Sequence, residues 1–161
     1  MLCVTVASAS VEKANLFMSN INGKLMLGAG YAVSSALVKD NFSGDLSSLD
    51  GSMSYLLNSK VLVDIVQERL QDGNPDLTRL TVSYVYNRVD LEQKFYIGGG
   101  LMQKWFDFTD TKLGAAVVGG ILWPSDINTA FKLGGKYGYF GGNDPLQANV
   151  FGLEIGVVQK F

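Results

Sequence analysis

The chain has 161 residues, a net charge of −2, a charged fraction of 17% and a mean hydropathy of +0.16, which suits one domain large enough to bury a core or close a small barrel. It contains no histidine and one cysteine, Cys3, which excludes Ser–His and Cys–His dyads, His-ligated zinc, an internal disulfide and a Cys-based metal cluster. No basic stripe supports nucleic-acid binding, and no run of about 18 apolar residues predicts a transmembrane helix.

Met1 to Ala9 closes on a small-x-small pattern of the kind found at signal-peptide cleavage sites. It lacks a basic n-region and is short for a signal, so an N-terminal strand is the expected reading. Ser10 to Ile21 offers a second arrangement, pairing with Lys24 onward through Asn22-Gly23, a two-residue hairpin signal. Residues 1–23 are therefore expected to form a strand or a hairpin. Lys24 to Val38 alternates Leu25, Leu27, Tyr31 and Val33 with Lys24, Gly28, Gly30 and Ser34. Residues 40–54 are rich in Ser, Asp and Gly and read as a long loop, in which Asp50-Gly51 leaves room for another hairpin.

Period two then recurs to the last residue. Lys60 to Glu68 sets Val61, Val63 and Ile65 against Lys60, Asp64 and Glu68, and Thr78 to Val89 sets Leu80, Val82, Tyr84 and Tyr86 against Arg79, Thr81 and Ser83. Glu92 to Phe106 places Phe95, Ile97, Leu101 and Trp105 opposite Glu92, Lys94, Gly98, Gly100 and Lys104. Lys112 to Trp123, Ile127 to Phe140 and Asn149 to Phe161 follow the same rule, the last with Phe151, Leu153, Ile155 and Val157 against Gly152, Glu154 and Gly156. Such alternation predicts strands, and short and long turn-rich connections alternate between them.

One face of every strand is bulky and apolar; the other carries charge and most of the glycine. A soluble barrel would turn the bulky face inward and leave a glycine-filled face in water, which loses backbone entropy without cross-strand pairing in return. A membrane barrel turns the bulky face to lipid, and small inward residues make room for long charged ones. The expected architecture is all-β: one antiparallel up-and-down transmembrane β-barrel over residues 1–161, with eight strands, or ten as the alternative count. Aromatic belts are expected from Trp105, Phe106, Tyr139, Phe140 and Phe151 near the loops and from Trp123 and Phe161 near the turns.

The lumen-facing charges expected on this parity are Lys60, Asp64, Glu68, Arg79, Glu92, Lys94, Lys104, Lys132, Lys136 and Glu154. Acids and bases are mixed, so an ion-pair network is expected, with Lys132 or Lys136 as the partner of Glu154. A narrow polar pore, or a small anion site near Lys132 and Lys136, are the functional alternatives. Gly98-Gly99-Gly100 lacks the helix and the Gly-Lys-Ser/Thr sequence of a phosphate loop, and Asp107, Asp110 and Asp144 match no EF-hand spacing. No catalytic residue, metal or cofactor is expected.

Gly152 to Phe161, Lys24 to Tyr31 and the hairpins between Arg79 and Phe140 together resemble the small outer-membrane β-barrel proteins of Gram-negative bacteria, of the OmpA/OmpX-like eight-stranded type. The resemblance covers residues 24–161. It implies residence in the bacterial outer membrane, with the lipid bilayer and the barrel-assembly machinery as partners, other envelope proteins as further candidates, and no nucleic acid. It also implies an assembly signal at Leu153, Ile155, Val157 and Phe161, from which Gln159 departs by being polar. Members act as anchors, adhesins, small channels or lipid-modifying enzymes, and the enzymes generally rely on histidine. The function expected is thus a non-enzymatic structural, anchoring or protein-interaction role, with a narrow passive channel or a soluble barrel binding a small apolar ligand as alternatives.

Overall fold

The computed structural model describes residues 2–38, 41–70, 76–107, 110–141 and 149–161. A helix, α1 (Leu2–Ile21), precedes eight strands: β1 (Leu25–Val38), β2 (Asn41–Leu57), β3 (Val61–Leu70), β4 (Asp76–Tyr86), β5 (Lys94–Asp107), β6 (Asp110–Pro124), β7 (Thr129–Tyr139) and β8 (Asn149–Lys160). Each strand pairs antiparallel with its neighbours in sequence, and β8 returns to β1, from Met26↔Lys160 to Leu37↔Asn149. The sheet is a closed up-and-down barrel of eight strands, not ten.

Two segments depart from the sequence expectation. The first is residues 1–23, whose described part is α1 and not a strand or hairpin. Ala14, Phe17, Met18 and Ile21 recur at i, i+3, i+4 and i+7, the spacing of one helix face, and all four are buried. Gly23, at φ 68°, ends the helix, with the Lys24 N–H donating to Ile21 O at 3.0 Å. A left-handed glycine serves a helix C-cap as readily as a hairpin, so Asn22-Gly23 carries both meanings.

The second departure is residues 40–54, read as a long loop, which lie largely within β2. There Leu49, Met53 and Tyr55 turn outward while Ser48 and Ser54 are buried. The alternation is intact, but its inward members are serines.

The pleat sorts side chains as a membrane barrel requires. Ile97, Leu153 and Ile155 are 66%, 62% and 57% exposed on the outer surface, whereas Arg79 and Lys136 are 1% and 2% exposed inside. An apolar belt around a whole barrel far exceeds the exposed patches that soluble monomers tolerate. The outward bulky face also removes the soluble, apolar-ligand alternative, which needs that face inward.

Along β3, β4, β7 and β8 the interior falls into three layers. At the short-turn end an apolar cluster joins Phe17, Met18 and Ile21 of α1 to Met26, Leu56, Leu62, Val85, Leu122 and Val158 of the wall. At the loop end Leu77, Met102, Ala116, Phe140 and Val150 form a second cluster. Charged side chains occupy the layer between.

Close clearances make some inward glycines obligatory. A Cβ at Gly120 would stand 2.6 Å from the Tyr96 hydroxyl and 2.7 Å from Gly134 Cα, with the Leu133 carbonyl also in the way. Since the obstruction is partly backbone, Gly120→Ala is expected to lower unfolding stability by about 1–3 kcal/mol, the usual penalty of overpacking. Denaturant titration in lipid vesicles measures this, and outward-facing Gly119→Ala, whose nearest atom is 3.5 Å away, is the matched control expected to be mild.

Candidate functional site

Three buried ion pairs occupy the middle layer. Arg79 of β4 donates to Glu154 Oε2 of β8 at 2.7 Å, Lys132 of β7 to Asp64 Oδ2 of β3 at 3.0 Å, and Lys136 of β7 pairs with Glu68 of β3. Ser54 also donates to Asp64. In an eight-strand cycle β3 and β7 are diametrically opposed, as are β4 and β8. Every one of these pairs therefore spans the lumen and ties one wall to the other. Gly152 clears the path of Lys136, since a Cβ there would stand 2.8 Å from Lys136 Cε.

Two cation–π contacts flank this layer. Lys132 Nζ lies 5.3 Å from the Tyr96 ring centre, and Lys104 Nζ lies 4.1 Å from that of Phe140. A cavity of about 20 Å³ is bordered by Asp50, Ser52, Arg79, Lys132 and Glu154. That is room for about one water molecule and for no larger solute.

The site residues expected from sequence divide into two groups. Asp64, Glu68, Arg79, Lys104, Lys132, Lys136 and Glu154 lie inside the barrel. Lys60 does not. It is exposed in the turn after β2, where Asn58 and Ser59 both take φ 54°. Glu92 also lies outside the lumen, in the β4–β5 connection, where it accepts from Trp123 Nε1 at 3.0 Å. Glu154 pairs with Arg79 rather than with Lys132 or Lys136, because β4 lies across the lumen from β8, whereas the two lysines stand on the neighbouring β7 and reach across to Asp64 and Glu68 of β3. Lys94 is buried at the turn end, apart from the three pairs. Phe140 points inward and leaves the expected aromatic belt, and Asp144 lies outside the described residues.

Sequence reasoning missed Asp50, on the inward parity of β2 beside Gly30, and it missed α1 altogether. The helix is latched to the turns by asparagines. Asn15 Nδ2 donates to Val89 O, and Asn20 Nδ2 to Ile127 O and Asn128 Oδ1, all at 2.7 Å. Asn20 Oδ1 accepts from Lys160 at 2.8 Å, Asn15 Oδ1 from Lys94 at 3.0 Å, and Asn22 Oδ1 from the Ser59 N–H at 2.7 Å. The helical spacing of Ala14, Phe17, Met18 and Ile21 was the available signal.

The turn that receives Asn20 is closed by a carboxylate, Asp126. Backbone N–H groups of Asn128 and Thr129 donate to Asp126 Oδ1 at 2.7 and 2.9 Å and hold this carboxyl below the usual carboxylate range. A lowered carboxyl stabilises the fold above its unfolded pKa of about 3.9, and that contribution is lost as pH falls through the lower folded value. Acidification below about pH 4 is therefore expected to lower the protection factors of the Asn128 and Thr129 amides, that is, their exchange relative to the intrinsic rate at the same pH. In Asp126→Asn this pH dependence should vanish.

No protein-family model matches the sequence, and no curated protein matches it. Solved structures do. Neisserial surface protein A (NspA) superposes with a TM-score of 0.64 at 21% identity, over 85% of this chain and 97% of its own. The N-terminal β-barrel domain of Pseudomonas aeruginosa OprF follows at 0.62 and 16% identity, over 86% of this chain and 98% of the domain.

The fold is that of the small eight-stranded outer-membrane β-barrels.

A third such barrel, Ail, the attachment invasion locus protein of Yersinia pestis, matches at 0.58 and 14% identity, over 87% of this chain and 99% of its own. Each of these barrels is covered almost whole, while a part of this chain comparable in length to α1 and its linker is left over.

Proposed function

We propose that this chain is a non-enzymatic barrel of the bacterial outer membrane, with a closed lumen and a structural, anchoring or protein-interaction role in a larger envelope assembly. The observation that carries the reading is the set of three ion pairs across the barrel, with α1 seated over the turn-side mouth. The apolar outer belt supports bilayer residence, and the short-turn end, where α1 sits, is the periplasmic side of such barrels. Leu153, Ile155, Val157 and Phe161 point outward from β8 and its end, which supports reading them as an assembly signal. Asp64, Glu68 and Glu154 are each engaged by a cation, which leaves them poorly placed for acid–base chemistry.

Planar-bilayer recording tests the closed lumen. Wild-type protein is expected to give no resolvable current steps. Currents of general-porin size would overturn the reading in favour of a channel, and a mixed-sign lumen predicts weak ion selectivity for any residual leak.

A further inference from the structure

The turn-end layer of the interior does not resemble the middle one. A barrel lumen in a membrane is normally polar, yet Met26, Leu56, Leu62, Val85, Leu122 and Val158 make this vestibule apolar. What fills it is not wall but Phe17, Met18 and Ile21 of α1, on a helix joined to the barrel through Asn22-Gly23-Lys24. The helix is thus a separable occupant of an apolar chamber. Its polar attachments include side-chain bonds to exposed turns and to two lysines, and among the described residues no ion pair at contact distance holds it, Lys13 acting on Asp126 only at longer range.

Lys94 adds a second, independent observation. It is fully buried at the rim of this chamber, and its ammonium is held by neutral oxygens: Asn15 Oδ1 at 3.0 Å, Arg88 O at 2.7 Å and Leu91 O at 2.7 Å. Buried charges are normally paired with an opposite charge, as Arg79, Lys132 and Lys136 are. One of the three acceptors on Lys94 belongs to the helix. Withdrawal of α1 therefore opens an apolar chamber and, at its rim, uncovers a cation with no carboxylate in direct contact, Asp90 being paired with Arg88 and acting on Lys94 only at longer range.

We propose that α1 is a displaceable stopper, and that the vestibule beneath it binds a single-chain anionic amphiphile, with the hydrocarbon in the place of Phe17, Met18 and Ile21 and the anionic head on Lys94. The charge layer above blocks onward passage, so the chamber binds from the turn side and does not conduct. This goes beyond the closed-lumen reading and rests on it only for the absence of conduction, which the labelling test below does not involve.

The alternation of the strands provides the test. A diazirine-bearing hexadecanoic acid is photolysed with full-length protein in phospholipid nanodiscs, and the modified residues are identified by mass spectrometry. Probe dissolved in the bilayer marks outward residues such as Val63, Tyr84 and Ile97. Probe in the chamber marks inward Leu62, Val85 and Tyr96. Phe17→Asp, which unseats the helix, is expected to raise inward labelling several-fold.

A disulfide between Asn20→Cys and Asn128→Cys, in a Cys3→Ser background, should abolish inward labelling when oxidised and restore it on reduction. This pair keeps the test decisive if Phe17→Asp does not fold. Lys94→Met should reduce inward labelling by the acid and leave the matching diazirine alcohol unaffected. Inward labelling that is equal in the oxidised and reduced lock, or absent from the reduced lock, would overturn the stopper. Equal inward labelling by alcohol and acid would overturn the anionic head.

Discussion

Replacing Glu68 with alanine is expected to destabilise the barrel by about 3–5 kcal/mol, the largest single-residue effect in the interior. Both side chains of the Glu68–Lys136 pair are 0% exposed. Truncation of the acid leaves the Lys136 ammonium buried beside Gly152 without its contact partner, Asp50 and Glu154 acting on it only at longer range. The penalty is mostly that of an unpaired buried charge, not the net worth of the bond. Removing both members, as Glu68→Ala with Lys136→Met, should therefore be milder than Glu68→Ala alone. A double-mutant cycle on urea unfolding in vesicles measures the coupling. Additive effects would show that the two walls are not joined through this pair.

On the outer surface the largest effect is expected from Ile155→Arg. Ile155 lies midway along β8 and is 57% exposed on the belt. An arginine there must bring its guanidinium into hydrocarbon, with a loss of about 2–4 kcal/mol near the bilayer midplane. Val89, 74% exposed in the turn between β4 and β5, is the control, and Val89→Arg should change stability little. Refolding titrations of both variants into the same vesicles make the comparison. Equal tolerance would contradict lipid burial of the belt.

Much of this architecture is legible by counting residues, and the exceptions have physical causes. In β3 to β8, large apolar side chains alternate with small or charged ones, so parity alone assigns Asp64, Arg79 and Glu154 to one side of the sheet and Ile65, Leu80 and Ile155 to the other. In β2 the inward positions include Ser48, Ser52 and Ser54, and serine is as much at home in a loop as in a crowded lumen. Parity also places Lys60 and Glu92 inward, but that rule holds only where the strand continues, and both residues fall beyond a strand end. Who pairs with whom is not local information. Arg79 reaches Glu154 through the tilt and stagger of a closed cylinder, which no single strand encodes. Residues 2–21 were legible in principle through their helical spacing, but Asn22-Gly23 favours two incompatible structures equally.

Arg79 and Glu154 have a further consequence at the seam where the barrel closes. Each other seam joins strands consecutive in the chain, whose connection limits how they align. Between β1 and β8 no such connection exists. A slip of one residue would throw the outer face of β8 into the lumen, but a slip of two would not. Phe151, Leu153, Ile155 and Val157 would merely exchange places, and lipid would not discriminate among them. Inside, the same slip would carry a glycine, 152 or 156, to the position facing Arg79 and displace Glu154 by about 7 Å. One carboxylate flanked on its own face by Gly152 and Gly156 thus acts as an index mark on the closing strand, read by a guanidinium on the far wall.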